Sequence, residues 1–265
     1  MLNDDTRARA REIIARYPKA RSALLPMLHL VQAEEGYVSP DGIAFCADEL
    51  ELTKAQVAAV ATFYTMYKRR PVGEYLVSVC TNTMCGVLGG DKTFEALSGH
   101  LGVGHDQTTA DGRITLEHAE CLAACDYAPV LTVNYEFFDQ VDAETAMGLV
   151  KQLQDGETPQ PTRGAPLGTF REVEMLLAGF GDERPGALAA GPAGAPTLAG
   201  ARLAEETGVV VPGFDPSTPI TPGKDSAPAG PLKAGSTEPE AGTRKVTPPP
   251  AVDVPEKANV PKKEA

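Results

Sequence analysis

The chain has 265 residues, 24 Lys/Arg and 36 Asp/Glu, for a formal net charge of −12. Residues 1–155 alone hold 13 basic and 22 acidic side chains, so the acidity belongs mainly to this part and argues against nucleic acid as a partner. Of 23 prolines, 18 lie at or beyond Pro159, which predicts a folded part shorter than the chain.

The opening Met-Leu-Asn-Asp-Asp lacks the basic stretch and apolar run of a secretory signal, and no apolar run approaches the ~18 residues of a membrane helix. These features predict a soluble, cytosolic protein with no direct membrane insertion. In that compartment spaced cysteines bind metal more often than they form disulfides.

From Thr6 to Tyr67 four helices are expected. One runs to about Tyr17 and is stopped by Pro18. A Leu-rich one from Ser22 to Gln32 has Pro26 near its first turn and Gly36 just past its end. Ser39-Pro40 supplies an N-cap followed by proline at the first helical position, where a missing N–H costs nothing. Thr53 and Gln56 form a capping box, after which Val57, Val60, Tyr64 and Tyr67 fall on one helical face.

After Pro71 the pattern changes. A strand at Tyr75–Val79 leads to a loop with Cys80 and Cys85, then a helix from Asp91 to about Leu101, capped by Asp91. A second strand at Ile114–His118 leads to Cys121 and Cys125. Val130–Val133 and Phe137–Val141 read as a hairpin, followed by an amphipathic helix at Asp142–Gln154. The expected fold class is α+β: an N-terminal helical bundle at 1–70, an α/β sandwich at 71–155 with both cysteine pairs in loops at strand ends, and a long Pro/Ala/Gly-rich extension at 156–265.

The extension cannot bury enough apolar surface to offset ordering entropy and is expected to be extended or disordered. Within it, 169–180 has the signature of a short helix, either a docking element or a transient one: Thr169 and Glu172 make a capping box, and Phe170, Val173, Leu177 and Phe180 share a face. The apolar patch 208–214 suggests a strand laid on a partner.

Four of the five cysteines fall within 46 residues, as C-x4-C (Cys80, Cys85) and C-x3-C (Cys121, Cys125) separated by 35 residues. Each iron of a [2Fe-2S] cluster carries two bridging sulfides and needs two thiolates, so two loops each giving a pair suffice. Gly86, Gly89 and Gly90 would let backbone N–H groups approach the sulfurs. Zinc held by four cysteines is also tetrahedral and is not excluded by these spacings. Disulfides or a redox dithiol form a third reading, although the thioredoxin-type C-x-x-C is absent.

Two stretches carry a resemblance: Ala61-Thr-Phe-Tyr-Thr-Met-Tyr-Lys-Arg-Arg-Pro-Val-Gly-Glu-Tyr-Leu-Val-Ser-Val-Cys-Thr-Asn-Thr-Met-Cys85, and Glu120-Cys-Leu-Ala-Ala-Cys-Asp-Tyr-Ala-Pro-Val-Leu-Thr-Val-Asn134. Both resemble the 24 kDa subunit family of respiratory complex I, whose bacterial form is the E subunit of NADH-quinone oxidoreductase. The likeness covers roughly Ala8 to Asp155. It implies a helical bundle joined to a thioredoxin-like [2Fe-2S] ferredoxin domain, with one cluster on Cys80, Cys85, Cys121 and Cys125.

The resemblance further implies single-electron exchange with the FMN of an NADH-binding flavoprotein subunit, with FMN and NADH on that subunit and neither on this chain. It also implies contact with the large iron-sulfur subunit and a place in the peripheral arm on the cytoplasmic side of the bacterial cell membrane. A diaphorase subunit of an NAD-linked hydrogenase or formate dehydrogenase would share this chemistry, and a zinc-stabilised interaction module without redox activity is a rival of another kind. Two departures stand out: Ala123 occupies a position where the family commonly has glycine, and the extension lies outside the usual core.

Three other features compete for a role. Cys46 sits beside Ile43 and Phe45 on a helix, where a buried packing thiol is expected. His118 precedes Cys121 by three residues, and a histidine can replace cysteine in Rieske-type centres, but four cysteines already complete a set. Lys68, Arg69 and Arg70 are expected at a helix end, either solvated or salt-bridged to the flavoprotein.

Overall fold

The computed structural model describes residues 2–182, 184–187 and 195–208. Four helices come first: α1 (Asp4–Ala15), α2 (Leu24–Glu35), α3 (Pro40–Leu50) and α4 (Lys54–Phe63). Each has a legible start. Asn3 and Thr6 cap α1 reciprocally, the Ser39 hydroxyl accepts the Gly42 N–H at 2.8 Å, and Thr53 with Gln56 closes α4's capping box. A single 3-10 turn, Ala20–Ala23, leads into α2, and Gly36 ends that helix in the left-handed conformation at φ 81°.

The central helix of the bundle is α2, buried from Met27 to Ala33. Ile13, Met27, Leu28, Leu30, Val31, Cys46, Leu50 and Val57 form one continuous core around it. Cys46 is fully buried within this cluster, and burial pushes its thiol up to about 12. It is a packing residue.

The end of α4 departs from the expected periodicity. The helix stops at Phe63 and Tyr64 is extended, so Tyr64 and Tyr67 do not continue its face. Tertiary bonds capture the chain instead. Tyr67 donates its hydroxyl to the Leu25 carbonyl at 3.0 Å, the Lys68 N–H donates to Gln32 Oε1 at 2.6 Å, and Val38 N–H donates to the Lys68 carbonyl at 2.7 Å. Lys68 is therefore not at a helix end, and its ammonium pairs with Glu117. Arg69 and Arg70 remain exposed.

The second half is a sheet with helices. Its elements are β1 (Tyr75–Cys80), α5 (Thr83–Val87), α6 (Gly90–Leu101), β2 (Gln107–Thr108), β3 (Ile114–Ala119), β4 (Leu131–Val133), β5 (Glu136–Phe138) and α7 (Ala143–Asp155). The five strands lie in the order β2-β3-β1-β4-β5, with β1 parallel to β3 and the remaining pairs antiparallel. All six residues of the central β1 are buried, as its unbroken Tyr-Leu-Val-Ser-Val-Cys run requires. Helices α6 and α7 pack together, placing Leu97, Ala146, Val150 and Leu153 with the strand residues Val77, Val79, Ile114 and Leu131.

Several sequence expectations are corrected here. Asp91 does not cap α6; Gly89 occupies that position at φ 109°, and Asp91 lies in the first turn. Cys85 lies on the short helix α5 rather than in a loop.

The chain also does not turn into a tail at residue 156. The helix expected at 169–180 forms as α8 (Phe170–Leu177), with the Thr169–Glu172 capping box intact, and it packs on α2 of its own chain. Phe170 is fully buried, worth roughly 2–3 kcal/mol for such a side chain, and the burial of Val173 and Ala178 with the packing of Met175 and Phe180 on the bundle core adds to it against the cost of ordering the segment.

Three polar stitches position α8. Phe170 N–H donates to the Glu74 carbonyl at 2.8 Å, and Asn134 Nδ2 donates to the Gly168 carbonyl at 2.8 Å. Glu174, fully buried, meets His29 Nδ1 of the bundle at 2.6 Å and the Tyr135 hydroxyl of the β4–β5 turn at 3.0 Å. A last helix, α9 (Ala195–Thr207), approaches the 3-10 turn Cys125–Tyr127. The apolar patch at 208–214 lies outside the described residues beyond Gly208, as does the rest of the extension.

Candidate metal centre

The parallel register of β1 and β3 brings the cysteines together. Cys80, the last residue of β1, lies opposite Ala119, the last residue of β3, and Thr81 N–H donates to the Ala119 carbonyl at 3.2 Å. Both chain segments leave the sheet at the same end, so the turn with Cys85 and the turn with Cys121 and Cys125 emerge side by side. Asn82 ties them: its Oδ1 accepts the Thr83 N–H at 2.9 Å to cap α5, and its Nδ2 donates to Glu120 Oε2 at 2.9 Å.

The two pairs have different surroundings. Cys80 and Cys85 are each 2% exposed and pack with Ala124 and Val130, whereas Cys121 and Cys125 are exposed. The Cys121 and Cys125 sulfurs are 3.7 Å apart, far beyond a disulfide bond of about 2.05 Å. Two thiolates on one tetrahedral ion at about 2.3 Å stand at roughly this separation. Among the described residues no three His, Cys, Asp or Glu side chains converge on a single ion.

The thiols disfavour one another's ionisation. Burial pushes the Cys85 thiol up to about 11; a hydrogen bond from the Val130 N–H works against this, and the neighbouring Cys80 and Cys125 add to it. Cys125 is also raised, first by its hydrogen bond with Cys121 and then by that residue's charge. A bound metal inverts this balance by deprotonating the thiols outright. Cys80, Asn82, Thr83, Met84, Cys85, Cys121 and Cys125 line one cavity of about 60 Å³.

The backbone is shaped for close approach. A Cβ at Gly90 would overlap the Cys80 carbonyl oxygen and stand 3.0 Å from that of Cys85. Ala123 adopts φ 58°, the left-handed region that favours glycine, and its N–H reaches Cys121 Sγ at 3.4 Å. His118 is exposed and packs against His105, with ring centroids 4.1 Å apart and the planes tilted by 42°. Sequence reasoning missed Asn82 and Arg163; the second lies over the Tyr127 ring, two residues past Cys125.

The chain belongs to the thioredoxin-like [2Fe-2S] ferredoxin family, whose model matches residues 10–154. It is 58% identical over 216 residues to the E subunit of NADH-quinone oxidoreductase from Mycobacterium tuberculosis, a match that takes in 82% of each chain. That span exceeds the 155 residues preceding the extension, so the likeness runs into the extension.

The corresponding E subunit of Rickettsia prowazekii is 36% identical over 146 residues, covering 54% of this chain and 82% of that one. Mitochondrial NADH dehydrogenase [ubiquinone] flavoprotein 2 of Dictyostelium discoideum is 33% identical over 172 residues, covering 62% and 70%. Among solved structures, NAD+-reducing [NiFe]-hydrogenase in the H2-reduced state overlays 50% of this chain and 22% of its own at 22% identity, with a TM-score of 0.45.

Proposed function

We propose that this chain is the electron-transferring E subunit of an NADH-quinone oxidoreductase, holding one [2Fe-2S] cluster between Cys80 and Cys85 on one iron and Cys121 and Cys125 on the other. The observation that carries it is the juxtaposition of two cysteine pairs at the shared carboxyl end of parallel strands. The relatives at 58% identity over 82% of both chains supply the assembly.

When bound, the cluster accepts and releases one electron at a time. The residues of this chain hold it and tune it: β1 and α5 bury one pair, the N–H groups of Val130 and Ala123 point at sulfurs, and Asn82 fastens the two turns together. The resemblance to such subunits assigns NADH oxidation at FMN to an adjoining flavoprotein subunit, with the large iron-sulfur subunit as a second neighbour. No helix among the described residues is long and apolar enough to cross a membrane. The chain attaches to the peripheral arm, on the cytoplasmic side of the cell membrane.

Anaerobically prepared chain should be brown, hold two irons and two acid-labile sulfides, and give a rhombic or axial paramagnetic signal after dithionite. A colourless protein with one zinc overturns the reading. Co-purification with hydrogenase or formate dehydrogenase subunits, in place of quinone-reductase subunits, would keep the chemistry and move the assembly.

A further inference from the structure

The segment after α7 does more than lead to α8. Thr162 N–H donates to the Phe137 carbonyl at 2.9 Å, and Phe137 and Arg163 form an isolated antiparallel bridge, so the strap touches the edge of β5 at this point. Arg163 then turns back over the sheet edge. Its guanidinium carbon lies 4.2 Å from the Phe137 ring centroid and 5.0 Å from that of Tyr127. Asp139, only 8% exposed, grips the same guanidinium through two bonds, Nε to Oδ2 at 2.9 Å and Nη2 to Oδ1 at 3.1 Å.

Tyr127 closes the 3-10 turn that begins at Cys125, and its N–H donates to the Ala124 carbonyl at 2.9 Å. Burial does not fix that turn. Its three residues include none that are buried, and Cys125 itself is exposed. The opposite pair needs no such brace, because β1 and α5 already bury it.

We propose that Arg163 is a positioning residue for Cys125: its planar guanidinium, oriented by Asp139, stacks on Tyr127 and fixes the turn that presents the Cys125 thiolate. The assignment rests on the cluster reading above and adds a residue outside the matched 10–154 span. Because Asp139 neutralises the guanidinium, the effect comes from the stacked plane rather than from net charge. Lysine can pair with Asp139 but has no plane to stack, so Arg163→Lys should behave like Arg163→Gln.

The test uses full-length, cluster-loaded chain. Bleaching by an iron chelator should run roughly tenfold faster in both variants, because each lacks the planar group that lies over Tyr127. The paramagnetic g-values of the reduced cluster should spread in both variants, while the unfolding temperature of Arg163→Lys, which can still pair with Asp139, stays at the wild-type value. In a Tyr127→Leu background, removing the arginine should add nothing.

Wild-type bleaching and g-values in Arg163→Lys overturn the assignment. So does an undiminished Arg163→Gln effect in the Tyr127→Leu background, or a bleaching gain in Arg163→Lys matched by a fall in its unfolding temperature. A wild-type chain that takes up no iron overturns the cluster reading and this assignment with it; a normal wild-type cluster with unaffected variants overturns this assignment alone.

Discussion

The two cysteine pairs sit at one end of one sheet and yet are held by different physics. Cys80 and Cys85 lie on regular structure, the last residue of β1 and the middle of α5, and are almost fully covered. Cys121 and Cys125 stand at the surface in a turn whose shape depends on a left-handed alanine, a hydrogen bond to a sulfur and a brace from the extension. Regular structure and burial fix the first pair. The second is fixed contact by contact, so single substitutions should act locally there and globally at the first pair.

Thiol reactivity should show the largest contrast. In cluster-free chain at pH 8, iodoacetamide should label Cys121 and Cys125 first, Cys80 and Cys85 slowly, and Cys46 only on unfolding. Raising Cys85 from 9.0 to about 11 leaves it about a hundredfold less thiolate, and Cys46 at about 12 about a thousandfold less, with access falling in the same order. The sign for stability follows from the Cys46 shift. Its folded value lies above the unfolded one, so the neutral buried thiol stabilises below about pH 9, and that contribution is lost as pH rises from 9 to about 12. Peptide mapping of the labelled chain at pH 8 checks the labelling order, and denaturant unfolding from pH 8 to 11 checks the stability; equal labelling of all five cysteines would erase the distinction between the pairs.

Gly90→Ala is the next test, aimed at the buried pair. The new Cβ meets the backbone carbonyls of Cys80 and Cys85, neither of which can rotate away, so the cost should be about 1–3 kcal/mol with reduced iron content. Denaturant unfolding and iron analysis read it. Unchanged stability would mean the first turn is as loose as the second.

Much of this architecture was legible because local signals and tertiary structure agree. The caps at Ser39, Thr53, Asp142 and Thr169 all operate as their residue types dictate, and the four spaced cysteines line one cavity at the end of the sheet. The misreadings have particular causes. Tyr64 and Tyr67 keep helical spacing, but the bonds from Tyr67 and Lys68 to α2 end the helix early. α5 is five residues long and contains Gly86, too short and too glycine-rich to register as periodic, and β2 has only two residues. α8 read as an element of a tail because its buried partners, His29 and Tyr135, are 145 and 39 residues away in sequence. Arg163 gave no signal at all, since its role exists only once the strap touches the edge of β5.

The smallest expected effect bears on the exposed pair. A residue with a Cβ in the left-handed region costs roughly 1 kcal/mol, which glycine at position 123 would relieve. Glycine also loses more backbone entropy on folding, by roughly 0.5–1 kcal/mol, so the two terms nearly cancel. Ala123→Gly should therefore change the unfolding free energy by less than about 0.5 kcal/mol, in the stabilising direction if strain outweighs entropy. The Ala123 N–H to Cys121 Sγ contact belongs to the backbone and survives the change, so the reduced cluster's paramagnetic spectrum should match wild type. A shifted spectrum at unchanged stability would show that the alanine methyl, rather than the N–H it accompanies, shapes the surroundings of Cys121, and the second turn would then depend on a side chain within itself as well as on the strap outside it.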